Sequence, residues 1–172
     1  METPLATTPA QTFLAELTAE ADLTRRVLAR VPLAASADWQ PHPKSMTLRQ
    51  LARHTAELAG FIQDTLDNSE IDLAAFEHQQ PAPLTDTEAL LTFFAERVQA
   101  AQSSLRTFPP DALGQRWVLR HGPQVLIDQT RAEVMRQLIS HLIHHRGQLT
   151  VYLRLLDVPV PGTYGPSADE PS

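Results

Sequence analysis

The stretch His141-Leu142-Ile143-His144-His145-Arg146-Gly147-Gln148 places three of the chain's seven histidines within five positions. On a helix, His141 and His145 are four residues apart and point the same way, about one turn apart. Two imidazoles so placed suit one metal ion. The same spacing also suits two stacked imidazoles with no ion between them. His144 lies close enough on the helical wheel to be the true partner of His141. His54 stands between Leu51 and Leu58 in an apolar periodic stretch, as either a satisfied core residue or an inward ligand. Three inward imidazoles from two helices make a three-histidine site. Buried without partners, they would cost roughly 1–3 kcal/mol per unsatisfied group. His42, His78 and His121 fall in loops or turns and read as solvated or locally hydrogen-bonded.

Other chemistries fail on the residues. Cysteine is absent, which excludes disulfides, Cys-ligated zinc or iron–sulfur sites, and a protein thiol nucleophile. No Asp or Glu stands three residues before a His, so the Glu-x-x-His di-iron pattern is missing. Neither a His-Glu-x-x-His motif, a Gly-rich phosphate loop nor a nucleophile elbow is present. Three neutral imidazoles would leave a divalent cation with an open position, the pattern of catalytic rather than structural sites. Such a position lowers the pKa of bound water toward ~7 and deprotonates a bound thiol. Without Cys, any thiolate at such a site must come from a small-molecule cosubstrate. The same ligands permit metal-assisted hydrolysis. Gln137 and Gln148 continue the His141/His145 stripe and are candidates to orient an imidazole or a substrate. Arg146 points about 100° away from its neighbour and reads as a buried salt bridge or interface residue. Gly147 is expected to allow a close helix approach.

Four helices must position these groups. Thr8, Thr47, Thr85 and Thr130 are each followed three residues later by Gln or Glu, the capping-box form. Each opens an apolar-periodic segment. Helices are expected over about 9–31, 48–67, 86–107 and 131–157, with prolines marking several ends. The last carries apolar residues on most of its circumference, from Val134 to Val151 and Leu155, so it is central to a bundle or half of a subunit interface. Residues 32–46 and 68–84 are long enough to cross the bundle. Between helices 3 and 4, Gln115–Arg120 and Gln124–Asp128 flank His121-Gly122-Pro123 and predict a short β-hairpin. The tail, 158–172, is rich in Pro, Gly and Ser and is expected to be extended, with Tyr164 as its candidate anchor.

The 172 residues fit one domain spanning 1–172. A net charge of −6 argues against nucleic acid as a partner. No apolar run approaches the ~18 residues of a membrane span. Met1 to Ala10 lacks the basic start and apolar stretch of a signal peptide, so a soluble cytoplasmic protein is expected.

The segment His141 to Leu149 resembles the HxxxHRGQ signature of the DinB-like, or damage-inducible, four-helix proteins. His54, after the Trp39/Pro41/Pro43 loop, resembles that family's first ligand, and Val158 to Gly165 resembles its C-terminus. The resemblance covers roughly residues 10–168. It implies an all-α bundle with long crossover connections, of up-up-down-down type. It implies a divalent metal, zinc or nickel, on His54, His141 and His145, with His144 outside the ligand set. It also implies a homodimer. Active relatives are thiol-dependent transferases or isomerases that use bacillithiol or mycothiol on small-molecule substrates. The expectation is therefore a metal-dependent thiol S-transferase. The alternatives are a hydrolase and a non-enzymatic, metal-stabilised dimeric stress or binding protein.

Overall fold

The computed structural model describes residues 8–78 and 82–170. Four long helices form the body: α1 (Pro9–Leu28), α3 (Leu48–Asp67), α4 (Thr87–Thr107) and α5 (Arg131–Leu155), with a short α2 (Leu33–Ser36) after α1. Thr8, Thr47 and Thr130 each close a capping box with the Gln or Glu three residues on, and Pro9 occupies the first turn of α1. Each such cap is worth about 1 kcal/mol. The expected box at Thr85 and Glu88 is corrected. Asp86 is the cap, and its carboxylate accepts from the Ala89 amide 2.8 Å away. An Asp at this position also complements the positive end of the helix dipole.

The first helix ends three residues earlier than expected. Arg30 and Val31 donate to Val27 and Leu28 in tightened turns before the chain enters α2. The last helix stops at Leu155 rather than 157, where the chain turns through Asp157 with φ 56°.

Helix directions follow from side-chain partners. Glu16 pairs with Arg136 and Glu20 with Arg146, so α1 and α5 run parallel. Arg131 at the start of α5 donates to the Thr65 and Asn68 carbonyls at the end of α3, so these two are antiparallel. Asp67 accepts from Ser104, and Gly60 meets the Arg97 stem, so α3 and α4 are parallel. The order is up-down-down-up, which corrects the implied up-up-down-down arrangement. The connection 68–86 returns the chain along the length of the bundle, as its length suggested. α1 and α3 each pack against both α4 and α5.

The expected hairpin is present as β2 (Arg116–His121) and β3 (Gln124–Thr130), antiparallel, with a bulge between Leu119 and Arg120. Gly122, at φ 52°, supplies the left-handed backbone at the first loop position. An unforeseen strand, β1 (Glu70–Asp72), joins in parallel on β2, and a 3-10 turn, Leu73–Phe76, follows it. Arg120 on β2 clamps β1 by pairing with both Glu70 and Asp72.

The core has two parts. One gathers Leu28, Leu51, Leu58, Leu90, Phe94, Leu142 and Leu149, and the other Phe13, Leu17, Ile62, Leu105, Met135 and Ile139. On α5 they meet between Ile139 and Leu142, where His141 lies. The all-round apolar character of this helix is mostly accounted for by the bundle, but Val151 and Leu155 are more than half exposed. Among the described residues, the tail beyond Val158 has no regular structure but is tied down. Asp169 holds Arg154 and the Val160 amide, and Glu170 holds Arg26 and the Gly162 amide. Among the described residues, no helix is long and apolar enough to cross a membrane.

Candidate metal centre

His54 from α3 and His141 and His145 from α5 come together on one side of the bundle. One ring nitrogen from each lies within 4.8 Å of the others. The ring centroids are 5.1 Å apart for His54 and His141, 4.7 Å for His54 and His145, and 4.5 Å for His141 and His145. The antiparallel pairing of α3 and α5 sets this juxtaposition. It brings the second turn of α3 against the middle of α5, and the i,i+4 spacing aligns the two α5 rings.

The donor set fits a cation. Gln148 Oε1 lies 2.7 Å from His145 Nδ1. A carbonyl oxygen only accepts, so Nδ1 carries the proton and Nε2 keeps its lone pair. That Nε2 is 2.7 Å from Nε2 of His141. At this separation either His141 Nε2 donates its proton to His145 Nε2 or both nitrogens turn lone pairs to a shared cation. Burial pushes the His54 imidazole pKa down, and the neighbouring His145 adds to this, while Glu57 opposes it. Burial likewise lowers His141, helped by His145, His54 and His144. Both shifts favour the neutral form that ligates metal. Among the described residues, no carboxylate joins the group.

The group is graded from closed to open. His145 is buried, His54 is partly covered, and His141 is exposed. The residues can therefore hold an ion with one side toward solvent. His144 is exposed, with its ring edge-on to His145, and is outside the cluster. Gln148 is hydrogen-bonded to His145, whereas Gln137 is exposed and, among the described residues, makes no hydrogen bond to the His group. His121 meets Glu77 on the far hairpin, His42 accepts from the Lys44 amide, and His78 is exposed.

Arg146, next in sequence to His145, turns into the bundle. It is 2% exposed and pairs with Glu20 Oε2 at 2.6 Å. Its other nitrogen donates to the Tyr164 hydroxyl at 2.7 Å, and that hydroxyl donates to Glu20 Oε2 at 2.7 Å. Burial and the bond to Glu20 raise the phenol pKa. This triangle ties α5 to α1 and to the C-terminal tail. Gly147 is corrected: a Cβ there would meet nothing within 4 Å.

The profile of the DinB family matches residues 1–172. The chain belongs to the DinB family. It is 28% identical over 158 residues to the uncharacterized protein YrdA of Bacillus subtilis, covering 92% of this chain and 89% of YrdA. Its fold resembles that of a DinB-like protein, YjoA, of Bacillus subtilis, with TM-score 0.67 and 16% identity over 93% of this chain and 99% of that one. A DinB-like protein of Bacillus cereus ATCC 10987 is similar at TM-score 0.63 and 20% identity, covering 88% and 95% of the two chains. The DinB fold and the His cluster thus occur together in this chain.

Proposed function

We propose that this DinB protein is a metal-dependent thiol S-transferase, with zinc or nickel on His54, His141 and His145. The carrying observation is the half-open cluster of three imidazoles without a carboxylate, in a chain without Cys. A divalent cation held there supplies a Lewis acid able to convert a thiol to thiolate near neutral pH.

The protein's own residues do the rest. Gln148 fixes the tautomer and tilt of His145. Desolvation and the neighbouring imidazoles lower the pKa of His54 and His141 and so favour their neutral forms. The exposed edge at His141 leaves room for a small thiol of the bacillithiol class; with its proton given to solvent, the thiolate would form a C–S bond with an electrophilic small molecule, either by addition or with departure of that molecule's leaving group. No side chain in the cluster is a carboxylate base, so proton removal rests on lowering the thiol's own pKa. Val151 and Leu155, one turn apart and exposed on α5, support a homodimer formed through that helix.

The test is conjugation of a low-molecular-weight thiol to an electrophile panel by metal-loaded and metal-free protein. Turnover only in the loaded form supports the reading, with a rate that stays high below the free thiol pKa of about 8.5. Equal rates in both forms contradict it.

A further inference from the structure

The parallel helices α3 and α4, together with the β1 segment, enclose a cleft of about 690 Å³, none of whose lining residues is a His or belongs to α5. That volume lies within the usual range of small-molecule sites, about 300–1,000 Å³. Phe61, Phe93, Ile71 and Leu73 give it an apolar wall.

Most of its charges are already engaged. Arg53 holds Glu57 and the Ala82 carbonyl, each at 2.7 Å, and Arg120 holds Glu70 and Asp72. Asp64 on α3 and Arg97 on α4 remain. Among the described residues, neither side chain makes a hydrogen bond or an ion pair, although both line the cleft.

The two do not close on each other because Arg97 is held elsewhere. Its guanidinium carbon lies 4.9 Å from the Phe93 ring centroid. Its stem lies against α3 at Gly60, where a Cβ would stand 2.9 Å from Arg97 Cδ. Glycine inside a helix costs about 1 kcal/mol relative to alanine. Gly60 is buried well inside α3, and what it admits is the Arg97 stem.

We propose that this cleft binds a zwitterionic small molecule with an apolar body, of the class of α-amino acids with a large hydrophobic side chain. The carboxylate meets Arg97, the ammonium meets Asp64, and the body packs on Phe61, Ile71 and Leu73. An anion alone would face the acidic Glu57, Asp64, Glu70 and Asp72, and a cation alone would leave Arg97 unmatched. None of the three clustered histidines lines the cleft, and the proposal makes binding there independent of a metal on them.

Calorimetric titration of the full chain with L-phenylalanine, 3-phenylpropionate and phenethylamine tests this, before and after chelator treatment. L-Phenylalanine should bind saturably, with each singly charged probe weaker by about tenfold or more, equal to about 1.4 kcal/mol. Arg97→Gln and Asp64→Asn should each weaken L-phenylalanine by a similar factor, and so should Gly60→Ala by displacing the Arg97 stem. Circular dichroism checks that each variant is folded. Chelation should leave the L-phenylalanine isotherm unchanged. Equal binding of the three probes, no saturation at millimolar L-phenylalanine, or an unaltered isotherm in Arg97→Gln would overturn the proposal. Loss of binding on chelation would overturn the site's independence.

Discussion

His145 and Arg146 are neighbours on α5, yet they serve different faces of it. On the Arg146 face each strong polar group has a protein partner: guanidinium with carboxylate, phenol with both. Glu20 and Arg146 are buried, and the triangle is complete. On the His face, the rings meet chiefly one another. Gln148 satisfies one nitrogen of His145, and the Nε2 atoms of His145 and His141 stand 2.7 Å apart beside the exposed His141. A closed polar set holds a fold together. A half-open set of imidazoles can take a cation on its open side. Adjacent residues thus belong to a closed polar set and to an open one.

Substitutions at the His face have the largest expected effect. His54→Ala, His141→Ala and His145→Ala should each lose most of the bound metal in elemental analysis, whereas His144→Ala should keep it. Stoichiometric metal in any of the first three would remove that residue from the ligand set. On the closed face, Arg146→Met should leave Glu20 buried without its partner and cost about 3–5 kcal/mol in urea unfolding. Its metal content per folded molecule should stay near that of the parent. A stability equal to the parent's would show that the pair does not hold α5 in place.

Two smaller effects sharpen the contrast. Gln148→Ala frees the His145 ring and should weaken metal affinity about 10–100-fold in chelator competition. Tyr164→Phe removes one hydroxyl from the closed triangle and should cost about 0.5–1.5 kcal/mol, without changing metal affinity. If Tyr164→Phe instead altered metal affinity, the two faces would be coupled through α5.

Local signals were readable where the cause is local. The Thr47 cap and the periodicity after it located α3 to the residue, and the i,i+4 spacing paired His141 with His145. The hairpin announced itself through Gly122. Features with non-local causes were not readable. β1 is three residues long and is held by Arg120, far along the chain. Glu20 as the partner of Arg146 depends on α1 lying parallel to α5, and the helix directions depend on where the long connections run. The glycines show the same limit. Gly147, beside the motif, faces open space, while Gly60, in an ordinary-looking helix, is the one that makes room for a neighbour. Asp86 displaced Thr85 as the cap because both are competent capping residues one position apart.

The central claim is that His54, His141 and His145 form one metal site with an open side. Calorimetric titration of metal-free protein with zinc, alongside the His54→Ala/His141→Ala/His145→Ala variant, tests it most directly. The account predicts one saturable site per chain in the parent and none in the variant. Matching isotherms for the two proteins, or no saturable binding in the parent, would contradict it.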